Sequence, residues 1–412
     1  MSLVASTASR RCVTPRVAAS LAATVVLTLV TAAWASEPGR RIGEPGEELL
    51  DLSADGEAAL LGDAERVRVV DLRHGRVSAW QPRPEGALMR LADEGGAVLF
   101  VQPQGKLRRW PCFALEDKAK VVPIPPGALD LAIDAGGGHV ALTTRQQQPP
   151  PGPRPQAPSA GGFACVHALA VDGTRTVQRC VPLAEGEVRR PRIATSRDGS
   201  RLWFWAGGTL LFLDAASLRV LGSLDVPEPS ALIVGEVAWR VVLQTADGAA
   251  ALSAPEGGSL SGPWTPLSRG AAIAVDASGK RVLGAGWTLL REDVGGAAAA
   301  VAPAAALASP HPPQWSISPD SRHAAVQMGD LLAIVRVEPT FSILGLLPTI
   351  RRGGVLAAHP RRLIWRGADN AIRAAVWSEL DTIPAPAAGL DVCLAAAETA
   401  RRLLDVAAGG GR

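Results

Sequence analysis

Two cysteines give the sharpest chemical signal in this sequence of 412 residues. Cys165 and Cys180 bracket the segment CVHALAVDGTRTVQRC, whose centre, Asp172-Gly173, has the residue types of a tight two-residue turn. Each cysteine lies seven residues from that turn, so the pattern predicts a β-hairpin in which Cys165 and Cys180 face each other and form a disulfide. A two-residue turn would make them a hydrogen-bonded pair with Cα atoms about 5.5 Å apart. The alternative is two buried thiols.

A second candidate pair of cysteines is less well defined. Cys112 and Cys393 could tie the C-terminal tail to an early segment of the chain, but nothing in the sequence fixes their proximity. Cysteines and histidines show no CxxC motif and no metal-ligand spacing. We therefore expect no metal site. The six histidines are scattered among predicted turns and strand ends, at 74, 139, 167, 311, 323 and 359.

Charged residues recur at one position of three successive segments. Asp51, Arg90 and Asp130 follow one another at steps of 39 and 40 residues, and Trp315 begins a later segment of the same type. If the fold brings these segments side by side, the charges could form an ion network between neighbouring units. Alternatively, Asp51, Arg90, Asp130 and Trp315 could line a weak ligand-binding patch. We find no catalytic residue set, phosphate loop or dinucleotide fingerprint, and we expect no cofactor.

These positions belong to a repeat. The first apolar residue of each copy can be aligned before a polar turn, and successive copies are separated by 39, 40, 64, 39, 41, 42 and 40 residues. The long step contains the Pro-rich insertion 146–161, which can supply neither a strand ladder nor a packed core. Eight units of about 40 residues remain, aligned on Leu50, Met89, Leu129, Ile193, Leu232, Ile273, Trp315 and Val355.

Each unit has the pattern of four short strands. Apolar residues alternate with a period of two in the first strand, as in Leu50 and Leu52. A turn containing Gly or Asp follows, such as Asp198-Gly199, and then a second strand, such as RLWFWA at 201–206. Four strands per repeat with almost no helical pattern predict an all-β fold, a β-propeller of four-stranded antiparallel blades. Stacking the blades in a closed ring would bury both faces of every sheet. The count favours eight blades, with seven as the alternative.

The repeats also resemble a known superfamily. Residues 195–227, TSRDGSRLWFWAGGTLLFLDAASLRVLGSLDVP, are similar to the YVTN-type and WD40-like propeller repeat, and SPDSRHAAV at 318–326 carries the same Ser/Thr-x-Asp turn. Trp203 stands where that family has Tyr, and the Gly-His and Trp-Asp dipeptides of strict WD40 repeats do not recur from unit to unit. The resemblance covers roughly residues 47–380. It implies the propeller fold and carries over no catalytic residue.

The two ends differ from the repeats. Residues 1–35 have three arginines followed by an apolar run and Ala33-Trp34-Ala35, which predicts a cleaved secretory signal peptide. The propeller would then span 36–386, and the tail 387–412 could be a helix or closing strands. Without residues 1–35 the chain has 42 − 3 = 39 basic and 39 acidic residues, so no net charge would attract nucleic acid or an anionic membrane. We expect a periplasmic or secreted protein with no membrane span after cleavage.

The sequence thus favours an exported, non-enzymatic scaffold that binds a protein partner or a small ligand through its loops and channel mouth. The resemblance implies two alternatives, a lactonase-like propeller hydrolase and a quinone-dependent enzyme. A hydrolase needs converging carboxylates or metal ligands, for which Asp51 and Asp130 are the only candidates.

Overall fold

The structure is a computed structural model of the chain, and it describes most of the repeat region. The described residues are 39–53, 55–92, 95–113, 120–134, 137–148, 160–170, 176–196, 198–234, 240–245, 248–253, 274–275, 281–284, 288–291, 298–300, 314–317, 323–328, 331–336, 342–349, 355–358 and 362–380. The predicted signal peptide, the tail 387–412, Cys393 and residues 149–159 of the insertion lie outside them.

The described strands form eight antiparallel sheets, which we number along the chain. The first strand, β1 (Arg40–Gly43), precedes sheet 1. Sheet 1 contains β2 (Glu48–Leu52), β3 (Ala58–Gly62), β4 (Arg66–Asp71) and β5 (Gln81–Pro82); sheet 2 contains β6 (Leu88–Ala92), β7 (Ala97–Gln102), β8 (Lys106–Pro111) and β9 (Lys120–Pro123). Sheet 3 contains β10 (Asp130–Ile133), β11 (His139–Gln146), β12 (Phe163–Ala170) and β13 (Thr176–Pro182); sheet 4 contains β14 (Arg192–Thr195), β15 (Arg201–Ala206), β16 (Thr209–Asp214) and β17 (Val220–Asp225).

The second half of the chain continues the same order. Sheet 5 contains three described strands, β18 (Pro229–Val234), β19 (Arg240–Thr245) and β20 (Gly248–Ser253). Sheet 6 contains β21 (Ala274–Val275), β22 (Arg281–Gly284), β23 (Thr288–Arg291) and β24 (Ala298–Ala300); sheet 7 contains β25 (Gln314–Ile317), β26 (His323–Met328), β27 (Leu331–Arg336) and β28 (Ser342–Pro348). Sheet 8 contains β29 (Val355–Ala358), β30 (Arg362–Arg366) and β31 (Ile372–Val376), and a one-turn helix, α1 (Trp377–Leu380), follows it.

The predicted units correspond to these sheets. Six of the eight aligned positions lie within the first strand of a sheet, Leu129 directly precedes β10, and Ile273, just before β21, lies outside the described residues. First strands of successive sheets lie side by side, as β2, β6, β10, β14 and β18 do. The all-β fold with four-stranded antiparallel blades is therefore confirmed. The predicted insertion begins one residue too early, since Gln146 still pairs with Phe163 in the ladder between β11 and β12.

An N-terminal strand that the sequence did not reveal completes the last sheet. β1 pairs antiparallel with β31, with Arg40 opposite Ala374. Two further contacts join sheet 8 to sheet 1. Arg362 forms an ion pair of 2.7 Å with Glu57, and an Arg366 guanidinium nitrogen donates to the Glu47 carbonyl at 2.8 Å. The unit after Val355 thus supplies three strands, and its fourth comes from residues more than 300 positions earlier.

Apolar side chains fill the spaces between neighbouring sheets. One cluster joins sheets 1 and 2, and others join sheets 2 and 3, 3 and 4, 4 and 5, 7 and 8, and 8 and 1. Trp203, Trp205 and Trp365 are fully buried in these layers and pack between neighbouring sheets. Burying both faces of a sheet is what makes a ring of sheets stable where one sheet alone would not be.

The recurring Ser/Thr-x-Asp-Gly turn has a structural role. In sheet 1, the Ser53 hydroxyl donates to Asp55 at 2.6 Å and accepts the Ala58 amide at 2.8 Å. In sheet 4, Ser196 donates to Asp198 at 2.6 Å and accepts the Arg201 amide at 2.9 Å. The repeated residues therefore hold the hairpin between the first and second strands.

Candidate functional site

The predicted disulfide between Cys165 and Cys180 is present. The two residues are direct partners in the ladder between β12 and β13, as the hairpin register predicted. Their Cα atoms are 4.0 Å apart, so the expected separation of about 5.5 Å is wrong, and the distance is nearer that of a non-hydrogen-bonded pair. Whether two facing residues form a hydrogen-bonded or a non-hydrogen-bonded pair depends on the turn of the hairpin. Residues 171–175 of this turn lie outside the described residues. Cys112 is buried, and its thiol donates to the Trp110 carbonyl at 3.7 Å.

Asp51 contacts the neighbouring sheet through the main chain. It lies on β2, and its carboxylate accepts the amide of Leu91 on β6 at 2.6 Å. Burial raises the pKa of Asp51, while the charge of Arg90 and the amides of Leu91 and Leu52 lower it. Arg90 donates to the carbonyl of its neighbour Met89 at 3.1 Å. Arg90 therefore acts on Asp51 by its charge, and the described residues show no ion pair within 4.0 Å between the two.

Asp130 forms the equivalent contact two sheet boundaries further on, between sheets 3 and 4. It lies on β10, and its Oδ2 accepts the amide of Ile193 on β14 at 3.1 Å, while Oδ1 accepts the amide of Leu131 at 2.9 Å. The two carboxylates thus link different pairs of adjacent sheets. Trp315 lies on β25, but its side chain is not among the described ones. The channel-mouth patch of Asp51, Arg90, Asp130 and Trp315 stays a prediction.

Sheet 3 buries a polar pair beside the disulfide. The His167 ring nitrogen Nε2 and the Thr144 hydroxyl lie 2.9 Å apart, and both residues are at most 1% exposed. Burial lowers the pKa of His167 to about 4, so the imidazole is neutral near pH 7. A neutral, enclosed imidazole bonded to a hydroxyl is a packing element of this sheet.

A cleft of about 270 Å³ opens between sheets 1 and 2, and sequence reasoning did not find it. Three turns and the end of β8 enclose it. They are the hairpin after β2, the turn after β4, and the hairpin after β6, which contributes two glycines. The lining residues are Asp55, Glu57, Ala58, Asp71, Arg73, His74, Arg76, Gly95, Gly96 and Phe113.

Asp71 organises the turn at the centre of this cleft. Its Oδ1 accepts the amides of Arg73 and His74 at 3.0 and 2.8 Å. Its Oδ2 contacts His74 Nδ1 at 3.0 Å and accepts from Arg76 at 3.0 Å. Partial burial raises the pKa of Asp71, but the hydrogen bonds from His74 and Arg76 outweigh it and lower that pKa to about 2. The segment DLRHGR at 71–76 was the signal available in the sequence, but only the fold reveals that Gly95 and Phe113 close the site.

Two further observations limit the chemistry of the described residues. Among them, no group of three or more His, Cys, Asp or Glu side chains is placed to hold a metal ion. None of the helices in the described part of the chain is long and apolar enough to cross a membrane.

Comparisons with known proteins identify the fold. No protein-family model and no curated protein matches the sequence. Among solved structures, Sqt1 of Saccharomyces cerevisiae aligns with a TM-score of 0.52 and 9% identity, over 84% of this chain and 98% of that one. The β-propeller domain of Swd1 from Myceliophteria thermophila aligns with a TM-score of 0.49 and 11% identity, over 82% and 99%. With its repeated four-stranded sheets, the chain has the β-propeller fold that its repeats predicted.

Proposed function

We propose that the chain is an exported, eight-bladed β-propeller without enzymatic activity, whose connecting loops bind a protein partner. The eight described sheets and the closure of sheet 8 by β1 support the blade count. A propeller holds its loops on a rigid ring, and such loops can change without altering the sheets behind them.

The observation that carries the proposal is that the carboxylates of Asp51 and Asp130 serve as hydrogen-bond acceptors between sheets. These two carboxylates were the only candidates for activating water, and each accepts a main-chain amide of the next sheet. Because these bonds fix both carboxylates at sheet boundaries, their role is to join neighbouring blades.

The loops offer contact groups typical of protein interfaces. Val188 is 82% exposed and is followed by the exposed Arg189 and Arg190 in the connection between sheets 3 and 4. Val77 is 50% exposed and adjoins Arg76 in the turn after β4. Arginine is enriched at protein interfaces, whereas lysine, glutamate and aspartate are depleted there.

The export part of the proposal rests on two observations at different places. Residues 1–35 have the order of a signal peptide, a basic start, an apolar run and small residues at the end. Cys165 and Cys180 are bonded, and disulfides persist mainly in oxidising compartments. Expression with the native N-terminus, followed by cell fractionation and N-terminal sequencing, tests this part. Recovery of an uncleaved protein from the cytosol would contradict it.

Partner binding is tested by photo-crosslinking in the exported fraction, with the crosslinker placed at position 188. The expected result is a defined crosslinked protein that rebinds to the purified propeller. The variant Val188→Asp should lose that rebinding, and the control Val121→Asp, which alters another exposed valine, should keep it. Equal rebinding by the two variants would place the interface elsewhere. Failure of the crosslinker at position 188 to capture any rebinding protein would contradict the scaffold role.

A further inference from the structure

Two turns of this chain are built in the same way. In Asp71–Arg76, the Gly75 amide donates to the Asp71 carbonyl at 2.8 Å and the Asp71 amide to the Arg76 carbonyl at 2.8 Å. In Asp214–Arg219, Leu218 donates to the Asp214 carbonyl at 2.8 Å and Asp214 to the Arg219 carbonyl at 3.0 Å. Both turns follow the third strand of a sheet, begin with aspartate and end with arginine.

The two turns differ at all four positions between the aspartate and the arginine, and the second and third positions bear on the cleft. Sheet 1 has Arg73 and His74 there, whereas sheet 4 has Ala216 and Ser217. The Ser217 amide donates to Asp214 at 2.9 Å, as the His74 amide does to Asp71. The Ser217 hydroxyl also donates to Asp214 at 2.6 Å, as the His74 ring contacts Asp71 at 3.0 Å, so the His74 side chain has a local role in its turn. Arg73 has no such role, and the turn of sheet 4 is formed with alanine in its place.

The cationic groups lie at the mouth of the cleft between sheets 1 and 2. The side chains of His74 and Arg76 are 60% and 63% exposed, and Arg73 is exposed. Within the described part of the chain, no carboxylate lies within 4.0 Å of the Arg73 guanidinium. Arg76 contacts Asp71 through Nε and one terminal nitrogen and leaves the other terminal nitrogen for a ligand.

The carboxylates of the cleft lie deeper and are already engaged. Asp71 is 12% exposed and accepts bonds from its own turn. Glu57, 16% exposed, pairs with Arg362 of sheet 8. Asp55 accepts the Ser53 hydroxyl at 2.6 Å and the Glu57 amide at 3.0 Å. The hydrogen-bonding capacity left at the opening therefore belongs mainly to donors.

We propose that this cleft binds a carboxylate side chain from an acidic, partly apolar peptide segment of a protein partner, with Arg73 and Arg76 as the principal donors. Guanidinium groups bind carboxylates with paired, charge-assisted hydrogen bonds. Phe113, over whose ring the Arg76 guanidinium lies at 5.0 Å, provides an apolar wall for a neighbouring side chain. This inference deepens the proposed scaffold function and rests on it.

A singly charged carboxylate suits the cleft better than a phosphate. Three carboxylates, Asp55, Glu57 and Asp71, line the floor beneath the cations. They would repel a phosphate group of charge near −2 more strongly than a carboxylate of charge −1. The balance of charges therefore favours Glu or Asp side chains over phosphorylated ones.

The test uses fluorescence anisotropy of the purified full propeller with four labelled hexapeptides titrated to roughly 1 mM. One alternates glutamate with phenylalanine, a second has glutamine for glutamate, a third has phosphoserine for glutamate, and the fourth has serine for glutamate. The variant Arg73→Ala/His74→Ser gives the turn of sheet 1 the residues that sheet 4 has, so its folding should be preserved. The control Arg190→Ala removes an exposed arginine from a different loop.

We expect the glutamate peptide to bind, the glutamine peptide to bind at least about tenfold more weakly, and Arg73→Ala/His74→Ser to weaken binding about tenfold or more. Arg190→Ala should stay within about twofold of the wild type, and melting temperatures should agree among the three proteins. Absence of binding, equal binding of the glutamine peptide, or unchanged affinity of the double variant would overturn the assignment. Tighter binding of the phosphoserine peptide would overturn the preference for a carboxylate.

This outcome is separable from that of the scaffold role. If the loops capture a rebinding partner and the double variant keeps its affinity for that partner, the cleft assignment fails while the scaffold function stands. If the glutamate peptide binds as expected but no partner is captured, the scaffold function fails and the cleft remains an acidic-peptide site.

Discussion

The bonds from Asp51 and Asp130 to neighbouring sheets make a prediction that separates a structural role from a catalytic one. Asp51→Ala removes the acceptor of the Leu91 amide, and Asp130→Ala removes the acceptor of both the Leu131 and Ile193 amides. The matched variants Asp51→Asn and Asp130→Asn keep a side-chain oxygen at the same place without the charge.

The expected decrease in the free energy of unfolding follows from the hydrogen bond that each main-chain amide loses. A buried donor left without a partner costs about 1–3 kcal/mol. Asp130→Ala releases two amides, so we expect a loss of roughly 2–6 kcal/mol. Asp51→Ala releases the Leu91 amide, but it also removes a carboxylate that is costly to bury. Its loss should therefore be smaller, about 1 kcal/mol. Each Asn variant should lie within about 1 kcal/mol of the wild type.

The pH dependence of stability provides an independent test of the role of Asp51. Burial raises the pKa of Asp51 above its ordinary value of 3.8, so the folded protein holds the proton to a higher pH than the unfolded chain does. The stability that Asp51 contributes is then fully present below pH 3.8 and is lost as the pH rises through the folded pKa. Asp51→Asn removes this dependence, and its stability relative to the wild type should increase from pH 4 towards pH 7.

Urea unfolding followed by tryptophan fluorescence and by circular dichroism measures these differences, and agreement between the two probes checks that unfolding is cooperative. Binding of the captured partner is measured on the same samples. The structural role would be refuted if both alanine variants matched the wild type in stability within about 0.3 kcal/mol. A stable Asp51→Asn or Asp130→Asn protein that had lost a ligand or an activity would refute it as well.

Three further predictions concern single features of the fold. Cys165→Ala/Cys180→Ala should lower the free energy of unfolding by about 3 kcal/mol, because the bond closes a separation of 15 residues; equal urea midpoints for oxidised and reduced wild-type protein would contradict this. Lowering the pH from 6.5 to 4 should destabilise the wild type by up to about 3 kcal/mol relative to His167→Gln, because only the unfolded chain takes up that proton; parallel pH curves would exclude it. Gly95→Ala places a methyl group 2.1 Å from an alanine of β3 at φ +91° and should cost more in thermal melts than the control Gly127→Ala, which has φ +75° and no atom within 4 Å; equal melting temperatures would argue against the clash.

The repeat was readable because its signals are local. Alternating apolar residues and Asp- or Gly-containing turns specify a strand and its hairpin within about ten residues, and these signals recur in every unit. The closing strand β1 could not be read in this way. It has four residues, and its partner β31 lies more than 300 positions away. Its existence depends on the ring as a whole.

The disulfide likewise has one feature that the sequence predicts and one that it does not. The register of Cys165 and Cys180 follows from counting outward from one turn, and the structure confirms it. The distance between their Cα atoms depends on which pleat of the ladder they occupy, and that depends on the geometry of the turn. Counting residues from the turn therefore predicts which residues face each other, but not the distance between their Cα atoms.

The cleft could not be predicted from local sequence patterns because it is formed between two repeat units. Asp71, His74 and Arg76 are close in sequence, and their mutual bonds could be guessed from the spacing alone. Gly95 and Phe113 come from the next sheet, and only the packing of sheet 1 against sheet 2 turns an exposed turn into an enclosed site. A pattern repeated in every blade can predict the blade, whereas a site between two blades depends on residues in which those blades differ.

That difference also explains why the turn after β4 is informative about binding. A propeller repeats its backbone, so equivalent turns serve as controls for one another within one molecule. Where Asp214 forms its turn with Ala216 and Ser217, stability alone is satisfied by small residues. Arg73, where sheet 4 has Ala216, is long, charged and exposed, and it carries conformational entropy that a ligand would have to restrict. An arginine that the turn does not require, placed at the mouth of a cleft, is therefore best explained by what the cleft binds.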